Sequence, residues 1–578
     1  MTAGADIPSG HYRAILLAIV MIAALMRGLF PAADPPWNPP VGIVWHDEGA
    51  WVHNARNRAL FGAWSLDQWN PMYIAPVFTG LEYLSFRSFG VGVRQARLVP
   101  EMCGLAAVCL LAFGVRRIGG RLAALIAAAL LGTNYFYVMW DRTALMEGPM
   151  VAFMVASWYC YTRADDEPAW GIAAGACALL AFFTKAAAAF FVAAIALDAL
   201  AALLAPWKRS PSMRSTRPAM ATLGGLAVFG IVALAVFVVP HWPDYRFYNW
   251  QMSVTRKPSY DLKSLVDRAT WLPLQDALTR TWFVMAIAAT HAAGLIARWR
   301  ELRSGERLLI LWVVLGAAEL ILHDTGNERR FVFFIPAFVA LASLALGRLQ
   351  ILPGGVEQMP RSRALAALPL VLYGGYVIFG AFVRIAFLRE ISPNVRIAAA
   401  LAIVFAIVLF TTWPRLPRVL AAAMPSRGIV LLTVLLSAGN VVQYMQWAVG
   451  RTYKNYEASR ELGRLLPAGT LVHGKLANGL ALENDIKPIF VGRGFGNYDD
   501  RKSRDDVRYI LTYIAPSLGY ESQAHNPVIL DVIDAYPNSR IVATFDVAET
   551  ATGHDRAALI DKYGAGRQNL PQSGRAKD

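Results

Sequence analysis

Two acidic motifs lie at the edges of long apolar stretches. His46-Asp47-Glu48-Gly49 precedes an amphipathic stretch, and Asp141-Arg142-Thr-Ala-Leu-Met-Glu147 separates two apolar runs. Ionisable residues this close to a bilayer are energetically costly, so they are candidate functional residues. Their carboxylates could act as a general base towards a hydroxyl or an amine, or they could hold a metal ion.

Cationic residues gather near boundaries of the same kind. Lys185 interrupts a very apolar stretch, and Arg329 and Arg330 precede another. Cations of this kind stabilise the charge on a phosphate leaving group. The acids and the cations together predict transfer from a donor with a phosphate at the membrane surface and a lipid tail in the bilayer. The polar segment 241–263 adds three candidate substrate contacts: His241, Tyr245 and Lys257.

Each of these groups also has a purely structural interpretation. The acids could cap helix N-termini or pair with Arg142. Lys185 could be an interfacial anchor whose stem lies along apolar surface. Arg329 and Arg330 could be ordinary flanks of the following span, and 241–263 could be an amphipathic surface segment. The functional interpretation depends on the convergence of all of them on one membrane face.

The composition indicates what must position these residues. The chain has 578 residues, of which 56% are hydrophobic and 16% are charged. Soluble domains carry about 25% charged residues, so a single soluble globule is excluded, as are disordered and fibrous proteins. Many stretches approach the roughly 20 apolar residues that cross a bilayer. The four cysteines lie in apolar stretches without the spacing of metal ligands.

The net charge of +15 is better explained by basic loops on the cytoplasmic side of a membrane than by binding to nucleic acid. Lys and Arg collect in cytoplasmic loops of membrane proteins. Basic segments at 116–121, 208–217 and 298–303 therefore predict cytoplasmic turns. A walk along the chain gives about thirteen transmembrane helices, with the N-terminus in the cytoplasm. The apolar runs counted as spans include 122–138, 170–184, 364–384 and 396–413. This count requires that 74–90 lies in the interface as a juxtamembrane or re-entrant helix.

The sequence divides into three parts. Residues 1–448 form the predicted transmembrane domain, with a first outer loop over 32–96 and an outer loop over 241–276. Residues 451–563 are more polar and predict a small extracytoplasmic α/β domain. Residues 564–578 predict a disordered tail. The predicted elements of the α/β domain are a helix over 454–466 and strands over 470–473, 488–491, 509–512 and 540–545.

Several short motifs, in this order, resemble a known family. They are Asp47-Glu48-Gly49, Ala55-Arg56-Asn57, Asn70-Pro71-Met72-Tyr73, Arg94-Gln-Ala-Arg97, Arg142 to Glu147, Phe182-Phe-Thr-Lys185 and Arg330 to Pro336. The chain resembles the GT-C superfamily of polytopic, lipid-dependent glycosyltransferases. It looks most like the bacterial family 39 group, which includes protein O-mannosyltransferases and aminoarabinose transferases.

The resemblance implies a GT-C fold in the bacterial plasma (inner) membrane and a role for each motif. Asp47 would be the catalytic base or a metal-proximal acid, Glu48 its partner and Glu147 the second acid. The residues implied to bind the donor phosphate are Arg142, Lys185, Arg329 and Arg330. No cofactor is certain, although a divalent cation (Mg or Mn) could lie between Asp47 and Glu147.

The reaction implied is inverting transfer of a sugar from a polyprenyl-phosphate donor to an extracytoplasmic lipid, protein or polysaccharide. The partners expected are this donor, the acceptor and the lipid bilayer, and no nucleic acid. The α/β domain would help to contact the acceptor. Two alternatives stay open at this point, namely a transporter or flippase of a lipid-linked sugar and a non-catalytic membrane scaffold.

Overall fold

The computed structural model describes most of the chain. The described residues are 7–36, 43–204, 215–252, most of 281–323, 328–349, 426–491, 497, 499–513, 534–548 and 556–564. Two predicted apolar runs, 364–384 and 396–413, lie outside these residues. The same is true of most of the 241–276 loop and of the 564–578 tail. The thirteen-span count therefore stays a prediction.

The described part of the membrane domain is helical. Its helices are α1 (Ser9–Gly28), α2 (Asp47–Trp51), α3 (His53–Phe61), α4 (Pro76–Phe89), α5 (Val93–Gly132), α6 (Tyr135–Asp141), α7 (Glu147–Ala164), α8 (Trp170–Thr184), α9 (Ala189–Leu204), α10 (Arg217–Ala233), α11 (Trp242–Trp250), α12 (Ser304–His323), α13 (Ile335–Leu349) and α14 (Ser426–Val449).

Five helical segments among the described residues are long and apolar enough to cross a bilayer. They are Ser9–Gly28, Val93–Gly132, Ala186–Leu204, Arg217–Val238 and Gly428–Leu465. Trp170–Thr184 and Ile335–Gly347 are shorter apolar helices. A multi-pass membrane protein follows from these helices together with the composition.

Helix α5 contains a sharp reversal at a basic turn. Gly120 has a φ of +83°, which interrupts the helical conformation between two apolar halves. Glycine adopts this backbone region without the steric cost that a Cβ would bring. The sequence analysis expected the second half to continue as a span over 122–138, but α5 ends at Gly132. Asn134 ends it, because its side chain caps the next helix by accepting a hydrogen bond from the Tyr137 amide at 2.9 Å.

Helix α4 corresponds to the predicted interfacial segment 74–90. It has 14 residues, so its length is roughly 21 Å, short of the bilayer's hydrocarbon thickness. It packs against α3 and α5 rather than standing apart as a span. The glutamate within it, Glu82, is fully buried.

The polar C-terminal part forms a five-stranded mixed sheet. Its strands are β1 (Leu471–His473), β2 (Lys487–Ile489), β3 (Tyr509–Tyr513), β4 (Arg540–Asp546) and β5 (Arg556–Asp561), and its helices are α15 (Lys454–Leu465), α16 (Lys475–Gly479) and α17 (Asp500–Ser503). The strand order is β2-β1-β3-β5-β4. β1 runs parallel to both neighbours, whereas β5 is antiparallel to β3 and β4. The sequence analysis did not predict β5.

The sheet has its own apolar core and is tied to the first loop of the membrane domain. Arg56 of α3 donates to the carbonyl oxygens of Ala481, Asn484 and Ile486 at 2.7–3.0 Å. Asp67 accepts a hydrogen bond from the Phe490 amide at 2.8 Å. Because Arg56 is 1% exposed, its hydrogen bonds are made in a desolvated environment. They fix the position of the C-terminal sheet relative to the first loop.

Candidate active site

The short helices α2 and α16 approach each other backbone to backbone. A Cβ added at Gly49 would lie 1.8 Å from the carbonyl oxygen of Asn478. A Cβ at Gly479 would lie 2.7 Å from the Cβ of His46. Both distances are below any real Cβ contact, so each helix needs glycine where the other crosses it. This contact brings the C-terminal sheet against the motif that carries Asp47.

Asp47 begins α2 and is held between two cations. Lys475, the first residue of α16, places its Nζ 3.1 Å from Oδ1 of Asp47. Arg329 places its Nη1 3.2 Å from Oδ2. The Asp47 side chain is 13% exposed, so this carboxylate has limited access to solvent. Each of its two oxygens therefore has a separate cationic partner.

Glu147 begins α7 and is fully buried. Its Oε1 forms an ion pair with the ammonium of Lys185, which lies in the turn between α8 and α9. Its Oε2 is buried and has no hydrogen-bond partner among the described residues. The ring of Phe333 covers the Lys185 ammonium, with 5.6 Å between Nζ and the ring centroid. The sequence analysis placed Glu147 and Lys185 in separate motifs, and the structure joins them.

Arg329 links the two acidic centres. While its Nη1 contacts Asp47, its Nε lies 3.5 Å from Oε1 of Glu147. Among the described residues, Lys475, Arg329 and Lys185 thus contact the two carboxylates, so the group they form holds three cations and two acids. A cluster with surplus positive charge attracts an anion such as a phosphate. We refer to these five side chains as the Asp47–Glu147 cluster.

The neighbouring cations keep the Asp47 carboxylate ionised. Burial by itself would raise the pKa of Asp47, but the charges of Lys475 and Arg329 outweigh it and hold that pKa well below its usual range. Asp47 is therefore ionised and in the form that accepts a proton. Burial, reinforced by the Lys475 ammonium, lowers the pKa of the neighbouring His46 to about 3, so this imidazole is neutral at physiological pH.

Glu48 does not join the cluster. Both of its oxygens are held by Arg97 of α5, at 2.8 Å and 2.7 Å. Its Oε1 also accepts from the backbone amide of Ala144 at 2.8 Å. Successive residues at a helix start point in different directions. The structure thus places Glu48 in a buried ion pair, apart from Asp47, where it supports the loop.

Arg142 also lies elsewhere than expected. Its guanidinium donates to the backbone carbonyls of Met26, Arg27 and Phe30 at the end of α1. It also stacks on Trp447, with 4.5 Å between its Cζ and the ring centroid. Arg142 donates hydrogen bonds to carbonyl oxygens and stacks on an aromatic ring. It thereby stabilises the end of α1. These contacts direct the guanidinium at the protein backbone and at Trp447 rather than at a phosphate.

The remaining predicted site residues lie near the cluster or outside the described chain. Arg330 is buried beside Arg329, close enough for its charge to act on Lys185. His241 and Tyr245 pack around Phe237, with ring centroids 5.5 Å and 6.2 Å from it. This grouping is an aromatic surface, and in the described part of the chain it makes no contact with the cluster. Lys257 lies outside the described residues.

The sequence analysis missed Lys475. It lies in the polar C-terminal part, where a lysine at a strand-to-helix turn carries no distinctive signal. The one usable clue was Gly474-Lys475 directly after the predicted strand ending at His473, because such turns at the ends of parallel strands often carry functional groups. Gly474 has a φ of +121°, and this tight turn aims the following helix at Asp47.

The residues around Asp47 and Glu147 do not fit a metal ion between the two acids. Among the described residues, no three His, Cys, Asp or Glu side chains come together in a way that would hold an ion. Asp47 and Glu147 are separated by the guanidinium of Arg329 and carry Lys475 and Lys185 on their other contacts. A divalent cation would have to displace these charges, so the donor set as arranged does not fit one.

Comparison with known proteins finds one matching family and solved structures with a similar fold. A family described as dolichyl-phosphate-mannose-protein mannosyltransferase matches residues 74–235. No curated protein sequence matches the chain. ArnT from Cupriavidus metallidurans bound to undecaprenyl phosphate is 16% identical, with 95% of this chain and 97% of that one covered and a TM-score of 0.51. Its apo state is 15% identical, with 97% and 99% covered and a TM-score of 0.53. At such identities the likeness shows a shared fold.

Proposed function

We propose that this chain belongs to the GT-C superfamily and is a glycosyltransferase; the family match over residues 74–235 and the likeness in fold to ArnT support this. It transfers a sugar from a polyprenyl-phosphate-linked donor to an acceptor outside the cytoplasm, with inversion. The observation that carries the proposal is the Asp47–Glu147 cluster, in which Asp47 and the buried Glu147 share three cations. The match of residues 74–235 to a family of lipid-phosphate-dependent mannosyltransferases supports the same chemistry.

The cluster has the parts that an inverting displacement requires. An acceptor hydroxyl attacks the anomeric carbon, and the new C–O bond forms as the bond to the donor phosphate breaks. The hydroxyl proton passes to Asp47, which is ionised. The phosphate leaves with one more negative charge than it had in the donor, and Arg329 and Lys185 stabilise that charge.

Desolvation strengthens this stabilisation. The side chain of Glu147 is fully buried and that of Lys185 is 11% exposed. Charges act more strongly on each other in such an environment than in water. Glu147 holds Lys185 and Arg329 next to each other, although two cations at this distance repel. An acid in this position prepares a cationic site before the phosphate arrives, and we assign that role to Glu147.

The same proposal covers the organisation of the chain. Residues 1–448 form the transmembrane catalytic domain, and residues 451–563 form a domain on the outer face of the bacterial plasma membrane. The contact of Lys475 with Asp47 supports this arrangement, since the C-terminal sheet must lie on the membrane face that carries the acids. Which sugar is transferred depends on contacts that the Asp47–Glu147 cluster does not include.

The test compares cell envelopes from cells that carry the wild type or Asp47→Asn at equal expression. Glycolipids, surface polysaccharides and glycoproteins are profiled together by mass spectrometry. We expect one sugar to disappear from one class of acceptor while its polyprenyl-phosphate form accumulates. Glu167→Gln is the matched control, because Glu167 is an exposed acid in the turn that follows α7, away from the cluster.

A binding experiment tests the donor side separately. Undecaprenyl phosphate is titrated against the purified protein in nanodiscs and followed by native mass spectrometry. Saturable binding that Lys185→Gln weakens supports the proposal. Translocation of a lipid-linked sugar across proteoliposomes without any transfer would show a transporter instead, and neither activity would show a scaffold.

A further inference from the structure

A lysine from the C-terminal domain completes the catalytic cluster. Lys475 is the only cluster member that the membrane domain does not supply, and its Nζ lies 3.1 Å from Oδ1 of Asp47. Its side chain is 15% exposed, so this ion pair is largely withdrawn from water. An ion pair of such limited exposure depends much less on solvent screening than one on the surface.

The backbone around Lys475 leaves little freedom for this contact. Gly49 and Gly479 allow α2 and α16 to cross without a Cβ between them. One turn further along α16, the Asn478 side chain forms a hydrogen bond of 2.9 Å with Nδ1 of His53. The position of the Lys475 Cα relative to Asp47 is therefore set by packed elements on both sides.

The two carboxylate oxygens of Asp47 have different cationic partners. Arg329 holds Oδ2 and also reaches Glu147, so it belongs to the part of the cluster that faces a phosphate. Lys475 holds Oδ1, and no contact with Glu147 is seen among the described residues. Within the described part of the chain, the other titratable group facing Asp47 is His46, with 4.0 Å between its Nε2 and Oδ1, and it is neutral.

We propose that Lys475 is a positioning residue that orients the Asp47 carboxylate, so that catalysis requires the docked C-terminal domain. The inference rests on the proposed function for its catalytic part only. When a donor phosphate draws Arg329 towards itself, Lys475 keeps Asp47 ionised and keeps one of its oxygens directed at the acceptor. The C-terminal domain is in this way part of the active site.

The first test needs no substrate. Dicyclohexylcarbodiimide reacts with protonated carboxyl groups, and peptide mass spectrometry measures how fast Asp47 is labelled at pH 6. Removing a neighbouring cation raises a carboxyl pKa by about 1–3 units, so Lys475→Gln should label at least about tenfold faster than the wild type. Lys475→Arg keeps the charge and should label at the wild-type rate. Equal rates in Lys475→Gln and the wild type would overturn the inference.

The second test measures transfer in proteoliposomes. We expect Lys475→Gln to lower kcat at least tenfold and to change the donor KM by less than about twofold, whereas Lys475→Arg restores most of kcat. A raised donor KM at unchanged kcat would make Lys475 a phosphate ligand and overturn the positioning role. Lys502→Gln is the matched control, because Lys502 is a partly exposed lysine of the same domain that pairs with Asp499.

The remaining controls separate folding from function. If the unfolding midpoint of Lys475→Gln falls, the double variant Asp47→Asn with Lys475→Gln removes both charges and should recover it, since the cost comes from a carboxylate that has lost one of its two cations. A double variant no more stable than the single one would mean that Lys475 acts only in docking. If the wild type transfers no sugar while the labelling pattern holds, the proposed function fails and the contact with Asp47 stands.

Discussion

Arg329 offers the most direct test of the cluster, because it is the one cation that contacts both acids among the described residues. Replacing it with glutamine removes the surplus positive charge. Hydrogen bonds to charged groups contribute about 1.5–3 kcal/mol, which corresponds to a roughly 10- to 150-fold loss of affinity. We therefore expect Arg329→Gln to weaken binding of undecaprenyl phosphate by a factor in this range.

The stability of the folded protein should change little in Arg329→Gln. Asp47 keeps Lys475 and Glu147 keeps Lys185 in this variant, so neither acid is left without a cation. The unfolding midpoint should consequently fall by no more than a few degrees. Binding is measured by native mass spectrometry in nanodiscs, and the midpoint by differential scanning fluorimetry.

Two further variants test whether the phosphate site is specific. Arg329→Lys keeps the charge but cannot place separate nitrogens on both acids, so its affinity should lie between those of the wild type and Arg329→Gln. Arg300→Gln removes an exposed arginine outside the cluster and should bind like the wild type. Unchanged affinity in Arg329→Gln, or an equal loss in Arg300→Gln, would refute a specific phosphate site.

Three other predictions concern the same region. Glu147→Gln should bind undecaprenyl phosphate more weakly and lose transfer, since it releases Lys185 and Arg329 from the positions in which Glu147 holds them; unchanged binding would contradict that role. Gly49→Ala should lose transfer and expose the C-terminal domain to limited proteolysis, because its Cβ would lie 1.8 Å from the carbonyl of Asn478, whereas Gly80→Ala, with open space around it, should behave as the wild type. Burial lowers the pKa of His46 to about 3, so the rate of transfer between pH 5.5 and 8 should contain no step from its titration. His46→Gln should therefore leave the shape of that pH profile unchanged, and a lost ionisation would show that His46 titrates in this range.

The sequence was most informative where the signal is local. The apolar run expected over 170–184 is α8, with the same bounds, and the strand expected over 509–512 is β3 with one more residue. Hydropathy over a window and alternation along a strand depend only on neighbouring residues, which explains this agreement. The second half of α5 was misjudged at its end, since the cap at Asn134 is a single side-chain hydrogen bond inside an apolar stretch.

The site was predicted in part. Asp47, Glu147, Lys185 and Arg329 were all expected to be functional, and the structure brings them into one cluster. Their pairing could not be read from the sequence, since it depends on how α2, α7 and the turn before α9 face one another. The direction of Glu48 could not be read either, because adjacent residues at a helix start differ in direction and only packing against Arg97 fixes which one turns inwards.

The sequence by itself determined that this is a multi-pass membrane protein with acids and cations at the ends of its apolar helices. Bilayer thickness and the cost of burying charge act on every segment in the same way, so composition is enough to reveal them. Only the tertiary structure decided that Arg142 fastens α1 and that Lys475 reaches Asp47. Such contacts join segments far apart in the chain, and they depend on close packing at positions such as Gly49, which nothing in the neighbouring residues encodes.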